Sequence, residues 1–480
     1  MAGKLPSVLM RAGEDRRVRA GHPWAFSNEI LMDPETKALP AGSLVILRAP
    51  GGEALGLATF NPHSLIAARV LTGNPEAVVD ALFFGRRFAR AMALRDRLIG
   101  VPYYRLIHAE ADGLPGMIVD RFGDALVVQL NSAGMNSLAP VILEALEAEL
   151  SPSTIVLKND SPVRELEGLE REVTVAKGNA DERIELIENG ARFVADLSGG
   201  QKTGWFYDQR DNRRFTAGLS KDARVLDVYS YSGGFGVLAA KEGAREVTCI
   251  DRSATALDAA RQAAELNGVA KTVSFQKAEA FEALEKLRGT AARKYDVVIC
   301  DPPAFVKSRK DLKTGAQGYR KLVRLAAPLV ARGGFFFVAS CSHLVDTPLF
   351  ARTDAQGRAS LDLPAGSPYA GVKACTSCHE DAYAAWLRTP HAHAMATLRQ
   401  KGQALDRECV GCHSIGFRQQ GGFQDPVQVG GFADVQCEAC HGSTHAEFPS
   451  THLNDNVRNI QIQGHAGTMV ECTACHVSEA

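Results

Sequence analysis

Arg224-Val-Leu-Asp-Val-Tyr-Ser-Tyr-Ser-Gly-Gly-Phe-Gly236 is the stretch on which the fold turns. Arg224 to Asp227 reads as a short apolar strand ending in an acid, and the turn from Tyr229 opens a helix over Val237 to Lys241. Gly233, Gly234 and Gly236 let the backbone turn tightly and approach a ligand closely. Working outward, Glu246 to Asp251 is a second strand that also ends in an acid, followed by a helix from Ala254 to Asn267. Tyr295 to Asp301 is a fourth-strand candidate running into Pro302-Pro303, and Gly334 to Ser340 a fifth. Strands alternating with helices predict an α/β, Rossmann-like parallel sheet with its ligand at the strands' carboxyl ends.

The acids then suggest the ligand. Asp251 lies 18 residues past Gly233, where a carboxylate accepts both hydroxyls of an adenosine ribose. A dinucleotide also fits a glycine-rich turn. However, the spacing is Gly-Gly-x-Gly, no phosphate-binding lysine follows, and Asp301-Pro-Pro303 ends a later strand. S-adenosylmethionine is the better match.

Ahead of this region, residues 1–75 read as a small β-rich module, with a hairpin from Ser43–Arg48 and Ala54–Phe60 around Ala-Pro-Gly-Gly. Arg16, Arg17 and Arg19 precede Gly21-His-Pro-Trp24. Basic groups beside an exposed aromatic hold phosphate and stack on a base; the alternative is a solvated arm over a core tryptophan. Residues 76–188 read as an α+β module: Asn74-Pro75 caps a helix with Val78, Leu82, Ala89 and Met92 on one face, and a hairpin turns at Phe-Gly-Asp. The parallel-sheet region covers 189–345.

The 480 residues suggest about three domains of ordinary size. With 54 basic and 55 acidic side chains there is no polyanion-coating tail, so any nucleic-acid surface is a local patch. No apolar run reaches the roughly 20 residues of a membrane helix. The arginines near the start precede no apolar core, so the opening is not a secretory signal and the front reads as cytoplasmic.

Gly200-Gln-Lys-Thr-Gly-Trp-Phe-Tyr-Asp-Gln-Arg-Asp-Asn-Arg213, with Gly21-His-Pro-Trp24, Glu110 to Gly116, Asp301-Pro-Pro-Ala-Phe305 and Ser340-Cys-Ser342, resembles the large-subunit rRNA cytosine-C5 methyltransferase I family. The resemblance implies an RNA-binding PUA domain, a small α+β domain and a class I methyltransferase domain, with 23S rRNA as substrate. It also implies S-adenosylmethionine contacts at Gln201, Lys202, Tyr207, Asp227, Gly233, Gly234, Gly236, Asp251, Glu279 and Asp301. Cytosine C5 is a poor nucleophile, so such an enzyme needs a thiol to add at C6. Cys341 suits that role and Asp301 the pyrimidine edge. Cys300 is the competitor, but neighbouring strand residues face opposite ways, and Cys249 reads as packing. Asp-Pro-Pro-Ala-Phe also resembles motifs that methylate exocyclic amines or guanine N7. The family pattern ends near His343, leaving the sheet short of its last strands, and 346–370 reads as a junction.

The tail, 371–480, has another chemistry. It holds eight of the 11 cysteines and nine of the 13 histidines. Cys375 and Cys378 precede His379, Cys409 and Cys412 precede His413, Cys437 and Cys440 precede His441, and Cys472 and Cys475 precede His476. Each Cys-x-x-Cys-His is the attachment signature of a c-type haem, the two thiols holding the vinyl groups and the imidazole the iron. His391, His393, His445, His452 and His465 are candidate distal ligands. Structural zinc is the rival. Around Ala384 to His393 the tail resembles multihaem cytochrome c-554 domains, which implies little secondary structure and an electron-transfer partner. Haem attachment outside the cytoplasm conflicts with rRNA methylation inside it, so an electron-transfer cytochrome with a relic front is the alternative reading.

Overall fold

A computed structural model describes residues 5–180, 183–200, 202–290, 294–306, 308–342, 344–345 and 349–350. They fall into two units, one running up to Pro302 and including Leu329–Ala339, the other holding Pro303–Pro328 and the residues from Ser340 on.

The first unit opens with β1 (Ser7–Leu9), α1 (Arg16–Arg19), β2 (Trp24–Ala25), α2 (Pro34–Lys37), β3 (Ser43–Arg48), β4 (Ala54–Phe60) and β5 (Ala68–Thr72). The strands form one sheet in the order β1-β3-β4-β5-β2, around Val8, Met10, Ile30, Val45, Leu47 and Phe60. The expected hairpin is β3–β4.

Next come α3 (Ala81–Ile99), β6 (Tyr103–His108), β7 (Met117–Phe122), β8 (Ala125–Leu130), α4 (Ala133–Ser137), α5 (Ala139–Leu150), β9 (Thr154–Asn159) and β10 (Glu172–Lys177). Their sheet runs β10-β9-β8-β7-β6, and the hairpin at Phe-Gly-Asp is β7–β8. The helix differs from its sequence reading. Its cap is Asp80, which accepts the Phe83 N–H at 2.8 Å, while Asn74 closes a local turn by accepting the Glu76 N–H at 3.0 Å. Val78 and Leu82 are both 69% exposed, and the buried face is Phe83, Phe84, Phe88 and Ala91. Three rings remove more apolar area from water than the aliphatic set, so they decide which way the helix faces. Glu167 joins the two sheets: buried, it pairs with Arg69 at 2.6 Å and accepts from Ser64 at 2.7 Å.

The hairpin β11 (Ile184–Glu188) and β12 (Ala191–Ala195) precedes α6 (Arg210–Gly218), β13 (Arg224–Val228), α7 (Gly234–Lys241), β14 (Glu246–Asp251), α8 (Ala254–Leu266), β15 (Val273–Lys277), α9 (Ala280–Thr290), β16 (Tyr295–Cys300), α10 (Leu312–Ala326) and β17 (Val330–Val338). The sheet is wholly parallel in the order β15-β14-β13-β16-β17, so the α/β reading holds. Two boundaries moved. β13 continues to Val228, which buries Asp227 inside the strand, and β17 begins at Val330 with a register shift before Phe335. α10 belongs to the second unit, where its fully buried Tyr319 packs on Phe305 at 4.7 Å.

Candidate active site

Three acids stand at or near the carboxyl ends of adjacent strands in the parallel sheet: Asp227 in β13, Asp251 closing β14 and Asp301 just after β16. Between β13 and α7 runs the glycine turn. Gly233 has φ +80°, and a Cβ there would lie 2.8 Å from Val237 Cγ2 and 2.9 Å from Ala260 Cβ. At Gly236 a Cβ would lie 2.4 Å from Cys249 Sγ, so only glycine lets α7 sit this close to β14. Gly234 opens α7 over Arg213, whose Nε would be 2.6 Å from a Cβ.

The turn is held in strain. Tyr229 and Tyr231 have φ of 65° and 48°, a left-handed conformation costing about 1–3 kcal/mol each. Asp251 offsets part of this, since its Oδ2 accepts the Tyr231 N–H at 2.9 Å while Oδ1 accepts the Ser253 N–H at 2.8 Å. Each oxygen keeps a further lone pair for a ligand hydroxyl.

Asp227 is fully buried; Oδ2 accepts the Gly236 N–H at 2.8 Å. Burial, with Asp301 and Asp251 adding negative charge, pushes its carboxyl up to about 7. Asp301 is pushed up to about 6, again chiefly by burial, and Gln209 donates to it at 3.5 Å. Acids forced together at this cost favour a cationic ligand such as a sulfonium.

Asp227 Oδ1, Ser230 Oγ and Ser232 Oγ are buried with no hydrogen-bond partner among the described residues. Buried polar atoms without partners cost about 1–3 kcal/mol each. A glycine cradle lined by such atoms and by acids fits the charged amino-acid end and sulfonium of S-adenosylmethionine.

The 200–213 motif turns out to be largely a strap. Thr203 donates to Asp120 at 2.5 Å, Trp205 Nε1 to Glu188 at 3.1 Å, and Arg213 to Glu188 at 2.7 Å. Buried Lys158 donates to the carbonyls of Leu197 and Gly200. Tyr207, expected at the cofactor, is buried against Phe122 with its hydroxyl donating to the Arg121 carbonyl at 2.8 Å. Burial raises that hydroxyl's pKa. Lys202 is exposed, its ammonium 4.6 Å from the Phe206 ring, and Glu279 is exposed as well. Gln201 lies outside the described residues, as do all the tail's cysteines and histidines.

Of the thiols, Cys249 and Cys300 are fully buried and pushed to higher pKa by that burial, whereas Cys341 is exposed. Sequence reasoning missed what holds the Cys341 loop. The Tyr319 hydroxyl, fully buried in the second unit, hydrogen-bonds Ser342 Oγ at 2.9 Å and Ser340 Oγ at 2.8 Å. Ser342 Oγ also accepts the Val306 N–H at 3.1 Å. Both serines flanking Cys341 are thus clamped by one phenol. Tyr319→Phe keeps the ring but takes one partner from each serine, with an expected loss of about 0.5–1.5 kcal/mol per bond and faster hydrogen exchange at 340–342. Unchanged exchange there would remove the clamp from the account.

In the first sheet, Trp24 is half-buried, and its Nε1 donates to Glu110 at 2.9 Å. Two of the motifs quoted above therefore meet, across 86 residues of chain. Arg17 pairs with Glu29, Arg19 with Asp15 and Glu53, and Arg16 is exposed.

Residues 170–362 match the S-adenosylmethionine-dependent methyltransferase family, 8–73 the PUA-like domain and 374–442 cytochrome c554 and c-prime. The methyltransferase match runs past His343, where the motif reading ended. The chain is 38% identical over 361 residues to the Ribosomal RNA large subunit methyltransferase I of Aliivibrio fischeri, covering 74% of this chain and 90% of that one. For the protein of that name from Cronobacter sakazakii the identity is 37% over 363 residues, covering 74% and 91%. Among solved structures, a putative SAM-dependent methyltransferase from Streptococcus mutans aligns with TM-score 0.61 at 19% identity, covering 74% of this chain and 91% of that one. A putative methyltransferase complexed with SAH aligns at 0.62, also 19% identical, covering 74% and 90%, and the two share its fold. Sheet, cradle and sequence agree: the chain belongs to the ribosomal RNA large subunit methyltransferase I family of S-adenosylmethionine-dependent enzymes.

Proposed function

We propose that this enzyme methylates carbon 5 of a cytosine in 23S rRNA, with Cys341 as nucleophile. The observation that carries the reading is that the one exposed thiol among the described residues stands between two clamped serines just past β17. S-adenosylmethionine, held by Gly233, Gly234, Gly236, Asp227 and Asp251, supplies an electrophilic methyl group on its sulfonium. The Cys341 thiolate adds to cytosine C6, which makes C5 nucleophilic. Asp301, with its pKa raised to about 6, shares a proton with the pyrimidine edge and stabilises the charge that the addition creates. C5 would take the methyl group as its bond to the sulfonium breaks and S-adenosylhomocysteine leaves; a base, water in the simplest case, then takes the C5 proton as the C6–S bond breaks and the thiolate leaves. Arg16, Arg17, Arg19 and Trp24 contribute to RNA binding in the PUA-like domain. This work belongs in the cytoplasm, where rRNA is made, and among the described residues no helix is long and apolar enough to cross a membrane.

The tail is proposed to carry four c-type haems for electron transfer, with zinc as the alternative occupant of the cysteine pairs. The cytochrome match, 374–442, includes three of the four Cys-x-x-Cys-His motifs. Purified protein with a sharp reduced α band supports haem; a colourless protein overturns it. For the methyl transfer, RNA containing 5-fluorocytidine should trap the enzyme covalently, because fluorine cannot leave C5 as a proton does. An adduct at Cys341 is expected, and no adduct, or one at another residue, would overturn the assignment.

A further inference from the structure

Helix α3 carries five arginines in 19 residues, and they divide by side. Arg87 donates to the carbonyls of Phe83 and Leu71 at 3.3 and 2.9 Å, and Arg95 pairs with Asp112 at 2.7 Å. Arg86, Arg90 and Arg97 are exposed and make no ion pair or side-chain hydrogen bond among the described residues. At roughly 100° per residue the three fall within about 40° of one another, opposite buried Phe84, Phe88 and Ala91, with buried Phe83 beside them at the helix start. At roughly 1.5 Å per residue they span about 16 Å along the axis.

Little opposes their charge. The helix's one acid, Asp96, accepts the Tyr104 hydroxyl at 2.6 Å, and Asp80 is occupied as the cap. Glu149 of α5 abuts Gly85, about 100° round the helix from Arg86. The field also reaches Arg87, whose pKa is lowered by burial and then by Arg86 and Arg90. In a chain of net charge -1, such an unopposed line is the kind of local patch that a polyanion requires.

We propose that Arg86, Arg90 and Arg97 form a track for the RNA backbone, each fork binding phosphate oxygens, on the reading that the substrate is rRNA. Phosphate contacts set position and affinity without reading sequence, and the planar guanidinium suits them. The opposite side of α3 is tied to the N-terminal aromatic site. Glu110 accepts from Trp24 and Asp112 accepts from Arg95, so one short turn, Ala109–Asp112, anchors both.

The test is binding of the full-length protein to 23S rRNA across a salt series. Arg86→Gln, Arg90→Gln and Arg97→Gln together should weaken binding ten- to a hundredfold at about 0.1 M salt and lower the salt slope by about 2, at roughly 0.7 per phosphate contact. The rate with saturating RNA should not change. As a comparison, Arg171→Gln, Arg192→Gln and Arg261→Gln remove the same charge from exposed, ion-paired positions and should change affinity by no more than about twofold. Normal binding by the track variant, or equal weakening in both variants, overturns the track alone. Wild-type protein that does not bind 23S rRNA overturns the functional reading beneath it too.

Discussion

Cys341→Ala is expected to lower methyl transfer at least about a thousandfold while leaving S-adenosylmethionine affinity unchanged. Without a thiolate at C6, cytosine C5 has too little electron density to take a methyl group, and no other described thiol can substitute. Cys249 and Cys300 have no exposure, and burial disfavours their thiolates. The substitution is at an exposed position, so the fold should survive it. Rates on 23S rRNA and calorimetric titration of the cofactor separate these effects. Full activity in the alanine variant would mean an exocyclic amine or guanine N7 as acceptor, since those reactions need no cysteine.

Glu188→Ala should cost about 3–5 kcal/mol of stability, the largest effect expected of a side chain outside the reaction. Its carboxylate is fully buried at the end of β11 and pairs with Arg213 at 2.7 Å, with Arg210 3.7 Å away and the Trp205 indole donating at 3.1 Å. Arg213 is itself buried and stacked 4.3 Å from the Trp205 ring, so losing its partner strands a cation in the core. Because Arg213 underlies Gly234, the damage should also reach cofactor binding. Glu188→Gln retains hydrogen bonding and should cost less. Urea unfolding followed by tryptophan emission tests this, and a loss below about 1 kcal/mol in the alanine variant would sink it.

How much of this was legible in the sequence depends on the range of the interaction. The parallel sheet was readable because four of its strands are short apolar runs ended by an acid or a turn, whereas β15, Val-Ser-Phe-Gln-Lys277, carries no such pattern; Gly233 and Gly236 report a local need for close approach. The buried face of α3 was misread because apolar spacing picked out Val78, Leu82, Ala89 and Met92, whereas area favours the rings of Phe83, Phe84 and Phe88. Tyr207 stood in a motif read as ligand-binding, yet its partner, the Arg121 carbonyl, lies 86 residues away. Composition left Trp24 open between a stacking platform and a core tryptophan, and only the folded chain brings Glu110 to its indole. Tyr319 gave no signal at all, since nothing in its neighbourhood marks a hydroxyl destined for Ser340 and Ser342.

The central claim, carbon-5 methylation of a cytosine in 23S rRNA, is tested most directly by its product. Unmodified 23S rRNA incubated with the full-length protein and methyl-labelled S-adenosylmethionine is digested to nucleosides and separated. The label should appear in 5-methylcytidine. Label in any other nucleoside, or none in the RNA, would contradict the account.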